Sequence, residues 1–380
     1  VYRQKSPCRR VTSYCGLNLT RFLDHLPNAI CCGCAGQQLL KPIHNPMTNR
    51  PLLITPGEPA GIGSEIALKA WQSGMNDICL IEQPSQIAQM AASLGITAKI
   101  REIDDPSSFD CTCPDLHVIP ISWKTTPVAG APDPANAPQV IDAIRQTALW
   151  SQSGTAAGIV TNPIQKSSLY DAGFDYPGHT EFISNLCKNK TSPIMMMMSK
   201  NLKVTTITTH IPLKDVSKEI NPSKIFQFIK ILNSEIELKF NIIKPKILVT
   251  GLNPHAGERG KIGDEEQKII LPTIEKLKKS NINIYGPVSA DTAFLKKNLD
   301  FFDVFVCMYH DQALIPIKIL DFFGSINVTL GIPIIRTSPD HGTAYDIAGK
   351  NTSNPDSMIF AIEQAYSIYK NQNEKIVKNK

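Results

Sequence analysis

DVFVCMYHDQ, from Asp303 to Gln312, carries the reading of the fold. Its first half is a short run rich in β-branched and aromatic residues, and its second half is polar and reactive. The stretch therefore reads as a buried strand that delivers His310 at its carboxyl end. Three other stretches repeat the arrangement: Ala156 to Thr161 leads into NPIQK, Lys203 to Thr209 ends at His210, and Lys246 to Gly251 leads into LNPHAGE and His255. From Pro51 onward such runs alternate with helical patterns at Ser64 to Trp71, Pro138 to Trp150, Ser223 to Leu238, after Gly263, and Ser357 to Tyr369. Pro272 is expected to kink or split the fourth of these. The alternation predicts an α/β fold with a substantially parallel sheet. Ligands of open α/β sheets gather beyond the carboxyl ends of the strands, so one shared cleft is expected.

A chain of 380 residues is long enough for two lobes, here expected at about 47–150 with 306–380 and at about 151–305. Apolar content of 42% and charged content of 19% are those of a globular protein. No stretch approaches the roughly 20 apolar residues that span a bilayer, so no membrane role is expected. The net charge of +5 comes largely from the N-terminus and from Lys370, Lys375, Lys378 and Lys380. No aromatic or basic stripe accompanies it, which speaks against nucleic acid. Of ten cysteines, Cys8, Cys15, Cys31, Cys32 and Cys34 crowd the start. Cys79, Cys187 and Cys307 sit in or beside apolar runs as core thiols, and Cys111 and Cys113 are too close for zinc-finger spacing. A reducing cytoplasm fits this usage. Residues 1–46 lack a sustained period and allow three accounts: a metal-binding cysteine cluster, a targeting peptide, or translated upstream sequence ahead of a start at Met47. The last is favoured.

His210, His255 and His310 are the strongest chemical signal, because three imidazoles at strand ends can bind a divalent metal and leave positions open for substrate or water. The plain alternative is that each hydrogen-bonds its own loop. His179 and Thr180, in GHTEF, could grip a carboxylate or amine, or Thr180 could simply cap a helix; Glu181 reads as a solvated acid in the first helical turn. In ITPGEPAGIGSEI, Gly57, Gly61 and Gly63 precede a helix start, which suits either an anion or a tight structural turn. Lys318, Asn327 and Arg336 bring two cations and an amide into one compact, apolar-flanked stretch suited to a phosphate. DHGTAYDIAGK, Asp340 to Lys350, reads as a dinucleotide cradle or a surface loop, and Met195 to Met198 as core filling.

Taken together, TPGEPAGIG, GHTEF, HIPLKD, GLNPHAGE, GPVSADT, MYHDQALIPIK, NVTLGIPIIRTS and DHGTAYDIAGK resemble, in order, the motif series of the 4-hydroxythreonine-4-phosphate dehydrogenase family, over residues 47–380. The resemblance implies a two-lobed α/β/α fold similar to isocitrate and isopropylmalate dehydrogenases, without a true Rossmann domain. It implies a homodimer with active sites at the subunit interface and a metal (Zn, Mg, Co or Mn) on His210, His255 and His310, shared between subunits. His179, Thr180, Lys318, Asn327 and Arg336 would contact substrate, Lys318 and Asp291 would handle protons, and His341, Gly342, Thr343, Ala344 and Asp346 would lie in an adenosine-binding loop for NAD or NADP. The implied reaction oxidises 4-phosphohydroxy-L-threonine to a 3-keto acid that decarboxylates to 3-amino-2-oxopropyl phosphate, on the route to pyridoxal phosphate. A sister dehydrogenase acting on a phosphorylated sugar acid or a diol carboxylate is the alternative. An inactive, metal-stabilised dimer with an interaction role is a remoter one. The chain departs from the usual pattern at Asn162, where a small residue is common, and at Arg259, where glycine is usual.

Overall fold

The computed structural model describes residues 50–378 except residue 190, so the cysteine-rich stretch 1–46 and Met47 lie outside the described residues. Within them the strands are β1 (Leu52–Thr55), β2 (Ile78–Glu82), β3 (Ile100–Glu102), β4 (Leu116–Pro120), β5 (Gly158–Thr161), β6 (Ile194–Met198), β7 (Lys203–Thr206), β8 (Ile247–Thr250), β9 (Ile284–Val288), β10 (Val304–Cys307), β11 (Ile326–Leu330) and β12 (Arg336–Pro339). The helices are α1 (Gly63–Gln72), α2 (Pro84–Ser93), α3 (Ala137–Ser153), α4 (Lys166–Asp171), α5 (His179–Leu186), α6 (Leu213–Glu219), α7 (Pro222–Phe240), α8 (Leu271–Lys279), α9 (Ala290–Ala293), α10 (Lys296–Leu299), α11 (His310–Leu320) and α12 (Asp356–Lys378).

All twelve strands join one sheet in the order β3-β4-β2-β1-β5-β12-β11-β6-β7-β10-β8-β9. The outer strands pair in parallel, as the alternating pattern predicts, but β11 runs antiparallel to both β12 and β6, and β6 antiparallel to β7. The sheet is therefore mixed at its centre. The four strand-forming runs become β5, β7, β8 and β10, each a residue or more shorter than its apolar stretch. Pro272 falls in the first turn of α8, after a π-helical turn at Glu266–Ile270, so the stretch after Gly263 is two pieces. α12 runs nine residues past the expected Tyr369, because its second half packs on α7 through bonds such as Asn371 Nδ2 to the Lys239 carbonyl (2.8 Å).

Strand alternation sends successive side chains to opposite faces. On one face Leu52, Ile54, Val160, Val328, Met196, Val249 and Val306 belong to a single apolar cluster along the sheet, covered by α1, α2, α7, α8 and α12. On the other face the apolar cover is in two pieces. Leu53, Cys79 and Ile159 pack under α3 and α5, whereas Met197, Val204, Phe305 and Cys307 pack under α11. Between them lie β12 and β11, whose residues on this face are polar: Arg336 and Ser338, Asn327 and Thr329. This break in the apolar layer positions the site. Met196, Met197 and Met198 are buried as core filling, and Cys79, Cys187 and Cys307 are buried free thiols.

Candidate active site

The break opens as a pocket of about 170 Å³ lined by residues that include His179, Thr180, His210, Asn327 and Arg336. Arg336 is its floor. Only 5% exposed, the guanidinium donates from Nε and Nη2 to the Thr161 hydroxyl (3.1 and 2.7 Å) and from Nη1 to the Thr329 hydroxyl (3.1 Å). Register explains both partners: Thr329 is the cross-strand neighbour of Arg336, and Thr161 follows the β5 segment that pairs with β12. Burial lowers the Arg336 pKa to about 10, against the pull of Glu181, so the group stays cationic at neutral pH. Hydroxyls satisfy some of its five N–H donors without neutralising it, and no carboxylate pairs with it among the described residues.

Two further atoms in the pocket wall are buried without a hydrogen-bond partner in the protein, Nε2 of His179 and Oδ1 of Asn327. Buried polar atoms are rarely left this way, and functional sites are where the exceptions collect. His179 opens α5, so its ring stands at the turn that closes the pocket. Burial, then the cations Arg336 and Lys166, hold its pKa well below the usual histidine value, which makes it a neutral imidazole. The Thr180 hydroxyl lies 3.5 Å from that of Thr329. The pocket thus joins a fixed cation, a neutral imidazole, an amide and hydroxyls, a set that suits an anionic, hydroxylated ligand.

At the pocket's edge the rings of His210 and His310 are neighbours, with centroids 5.8 Å apart. His310 follows the end of β10, as expected, as the first residue of α11, and Nδ1 contacts its neighbour Asp311 at 2.7 Å. Partial burial, Lys166 and His310 all lower the pKa of His210. His255 is placed differently. It is exposed in the turn after β8, and Asp291 in α9 is a predicted site residue whose carboxyl it influences electrostatically. The Asp291 carboxyl is held below its usual pKa by the Ser289 hydroxyl and, more weakly, by His255. Among the described residues no three His, Cys, Asp or Glu side chains are grouped to hold a metal ion. Lys318, on α11, does not line the pocket; it pairs with Asp340 (2.5 Å) and donates to Ser325 (3.3 Å).

The glycine-rich turn makes its close approaches to the protein itself. A Cβ on Gly57 or Gly63 would strike the Asn162 side chain, and one on Gly61 would come within 2.8 Å of the Thr343 carbonyl. Asn162 is buried there, donating from Nδ2 to the Thr55 carbonyl (2.9 Å), away from the pocket lining. Of the two readings open to that turn, the structural one is what the contacts show. The turn carries the His341 to Asp346 loop, since Ile62 N donates to the Thr343 carbonyl (3.1 Å). In that loop Nε2 of His341 is buried without a partner, Ala344 has φ +49°, and Asp346 and Gly342 are exposed. A second pocket of about 320 Å³, lined by Gly61, Glu65, Met90, Gly349 and Asn351 among others, lies alongside.

Several pocket residues are ones that sequence reading passed over. Lys166 closes the NPIQK motif and Glu181 stands in GHTEF, yet both line the pocket, and Glu181 is only partly exposed rather than solvated. Thr161 and Thr329 carried no signal beyond their strands. Their role depends on a guanidinium 175 and 7 residues away.

Comparison with known proteins identifies the family. The profile of "Pyridoxal phosphate biosynthetic protein PdxA" matches residues 75–365. A 4-hydroxythreonine-4-phosphate dehydrogenase of Caulobacter vibrioides is 41% identical over 332 residues, covering 85% of this chain and 98% of that protein. One of Roseobacter denitrificans is 44% identical over 318 residues, covering 83% and 96%. The crystal structure of the Klebsiella pneumoniae 4-hydroxythreonine-4-phosphate dehydrogenase superposes with a TM-score of 0.76 at 33% identity, covering 84% of this chain and 99% of that one. The chain belongs to the PdxA family of pyridoxal phosphate biosynthetic proteins.

Proposed function

We propose that the protein oxidises 4-phosphohydroxy-L-threonine with NAD or NADP, giving a 3-keto acid that decarboxylates to 3-amino-2-oxopropyl phosphate. The observation that carries this reading is Arg336, a buried guanidinium held by hydroxyls alone in a pocket whose other walls are His179, Thr180 and Asn327. Such a cation gains most from a ligand oxyanion, which supplies the missing charge and acceptors together. Asn327 Oδ1 and His179 Nε2 would then take the amine and hydroxyl of the same ligand. Lys318 joins them only by exchanging Asp340 for the substrate, and Asp291 is an acid that feels the charge of His255. Either could then carry a proton.

His210 and His310 fit a divalent cation, because both are imidazoles and partial burial favours the neutral, ligating form of His210. Bound there, Zn, Mg, Co or Mn would lower the pKa of the substrate hydroxyl and stabilise charge that builds on oxygen. His255 would complete the set from a second copy of the chain, since one chain brings only two of the three rings together. Apolar surface flanking the histidine pair supports that partner: Ile211 and Leu213 follow His210, and Ile315, Ile319, Leu320, Phe322 and Phe323 stand exposed on and beyond α11, Ile319 at 79%. Exposed apolar side chains in such number favour an interface with a second copy. NAD or NADP would lie along the His341 to Asp346 loop and take the hydride. The reading keeps two lobes, about 47–150 with 306–380 and about 151–305, meeting at the pocket, and a reducing cytoplasm as the setting.

The test is NAD(P)H formation from 4-phosphohydroxy-L-threonine by wild type and His255→Ala, each with and without chelator. Turnover lost on chelation and in the variant is expected. Turnover indifferent to both would remove the metal from the mechanism, and faster turnover of threonate 4-phosphate or a diol carboxylate would move the protein to a sister activity.

A further inference from the structure

The turn that carries His255 has an uncommon backbone. His255, Ala256, Gly257, Glu258 and Arg259 are successive residues with φ of +51°, +50°, +77°, +41° and +58°, a run of left-handed helix in which four residues have a side chain. L-residues visit this region singly and at a cost, and sustained runs persist only when their surroundings over-determine them. Glycine suits that conformation, whereas Arg259 bears the strain.

What fixes the turn is Glu266, a carboxylate only 3% exposed that faces it from the π-helical segment. Oε1 accepts from the backbone N–H of Leu252 (2.8 Å) and Asn253 (2.7 Å), and Oε2 from Nδ2 of Asn253 (3.0 Å). The turn closes down on the same carboxylate, since a Cβ on Gly257 would sit 2.5 Å from Oε2. No cation pairs with Glu266 among the described residues, so its hydrogen-bonding capacity is directed at the residues that launch the left-handed run. Buried polar groups with this much local structure depending on them tend to specify one conformation.

We infer that Glu266 is a positioning residue that locks the strained turn and so presents His255 outward as a preorganised ligand arm. The inference rests on the reading of His255 as a metal ligand and adds the group that holds it in place. Groups that orient a metal ligand typically change metal affinity by roughly 10- to 100-fold when removed.

The experiment titrates Co²⁺ into the full-length protein by calorimetry and by its visible spectrum, and measures hydrogen exchange over residues 251–260, in wild type, Glu266→Ala, Glu266→Gln and His255→Ala. Glu266→Ala should bind Co²⁺ roughly 10- to 100-fold more weakly and lose protection in the turn, with the rest of the chain as protected as in wild type. Glu266→Gln keeps an acceptor for the two backbone N–H groups and should recover most of both, which separates positioning from general unfolding. His255→Ala should lose Co²⁺ affinity while the turn keeps its protection. If His255→Ala binds Co²⁺ like wild type, the ligand reading fails; if it loses Co²⁺ while Glu266→Ala keeps wild-type affinity and turn protection, the positioning role fails by itself.

Discussion

The two sides of the site are built on opposite plans. Around Arg336 everything is assembled by one chain: a buried cation, two threonine acceptors from neighbouring strands, and pocket walls from α5 and β11. Around His255 the backbone is strained, the ring is exposed, and its companions His210 and His310 are grouped with each other instead. The first side is finished within the sheet; the second presents its imidazole to solvent. Pocket chemistry can be read from one chain where strand register sets it. A ligand set spread over loops is legible only in part.

The largest effect is expected at Arg336. Arg336→Met should lower kcat/KM by about 10³-fold, since truncating one member of a buried charged pair costs about 2–5 kcal/mol. Thermal unfolding should show stability unchanged or higher, because the wild-type cation is buried without a carboxylate. A variant that loses stability and keeps activity would make Arg336 structural and erase the contrast. Thr161→Val comes next. It deletes the acceptor of two guanidinium bonds at constant shape, and hydrogen bonds to charged groups contribute about 1.5–3 kcal/mol, so substrate KM should rise about 10- to 100-fold.

A pH profile of stability sharpens the comparison further. The folded-state pKa of His179 lies well below the ordinary 6.5, through burial and then the charges of Arg336 and Lys166. As pH falls below 6.5 the unfolded chain takes up a proton that the native ring does not. Stability should therefore drop by about 1.4 kcal/mol per pH unit for this one group until its native pKa is reached, and be unaffected by it above about 6.5. His179→Asn should flatten the acid limb by that share, measured by urea unfolding from about pH 7.5 to 5; an unchanged limb would mean the ring is not held neutral. The smallest effect is one of stability, on the other side. His255→Gly should raise it by about 0.5–1 kcal/mol in the same urea unfolding, since glycine tolerates φ +51° without a Cβ clash; an unchanged or lower value would mean the turn is not strained there.

Strand ends were the legible part. β5, β7, β8 and β10 follow the apolar runs, and four of the five expected substrate contacts meet at the pocket, where period-2 alternation places Asn327, Thr329 and Arg336 on one face. Lys318 is the exception, drawn off to Asp340, a pairing that spacing does not reveal. β11, β12 and the antiparallel centre of the sheet went unread, since a short apolar run gives no direction. The glycine turn suggested an anion equally well until Asn162 and Thr343 were seen to occupy its space. Left-handed φ values at positions 255–259 have no signature in side chains such as Ala256 or Glu258, and so the role of Glu266 could not be read from the string of letters.

Subunit complementation tests the division of labour most directly. Arg336→Met and His255→Ala chains, each inactive alone, are co-expressed with different tags and the mixed dimer is purified through both. If a partner's imidazole completes the pocket, each mixed dimer carries one whole site and should recover about half of wild-type turnover. A mixed dimer as inactive as its parents would mean that His255 serves the pocket of its own chain, which contradicts a site shared between subunits.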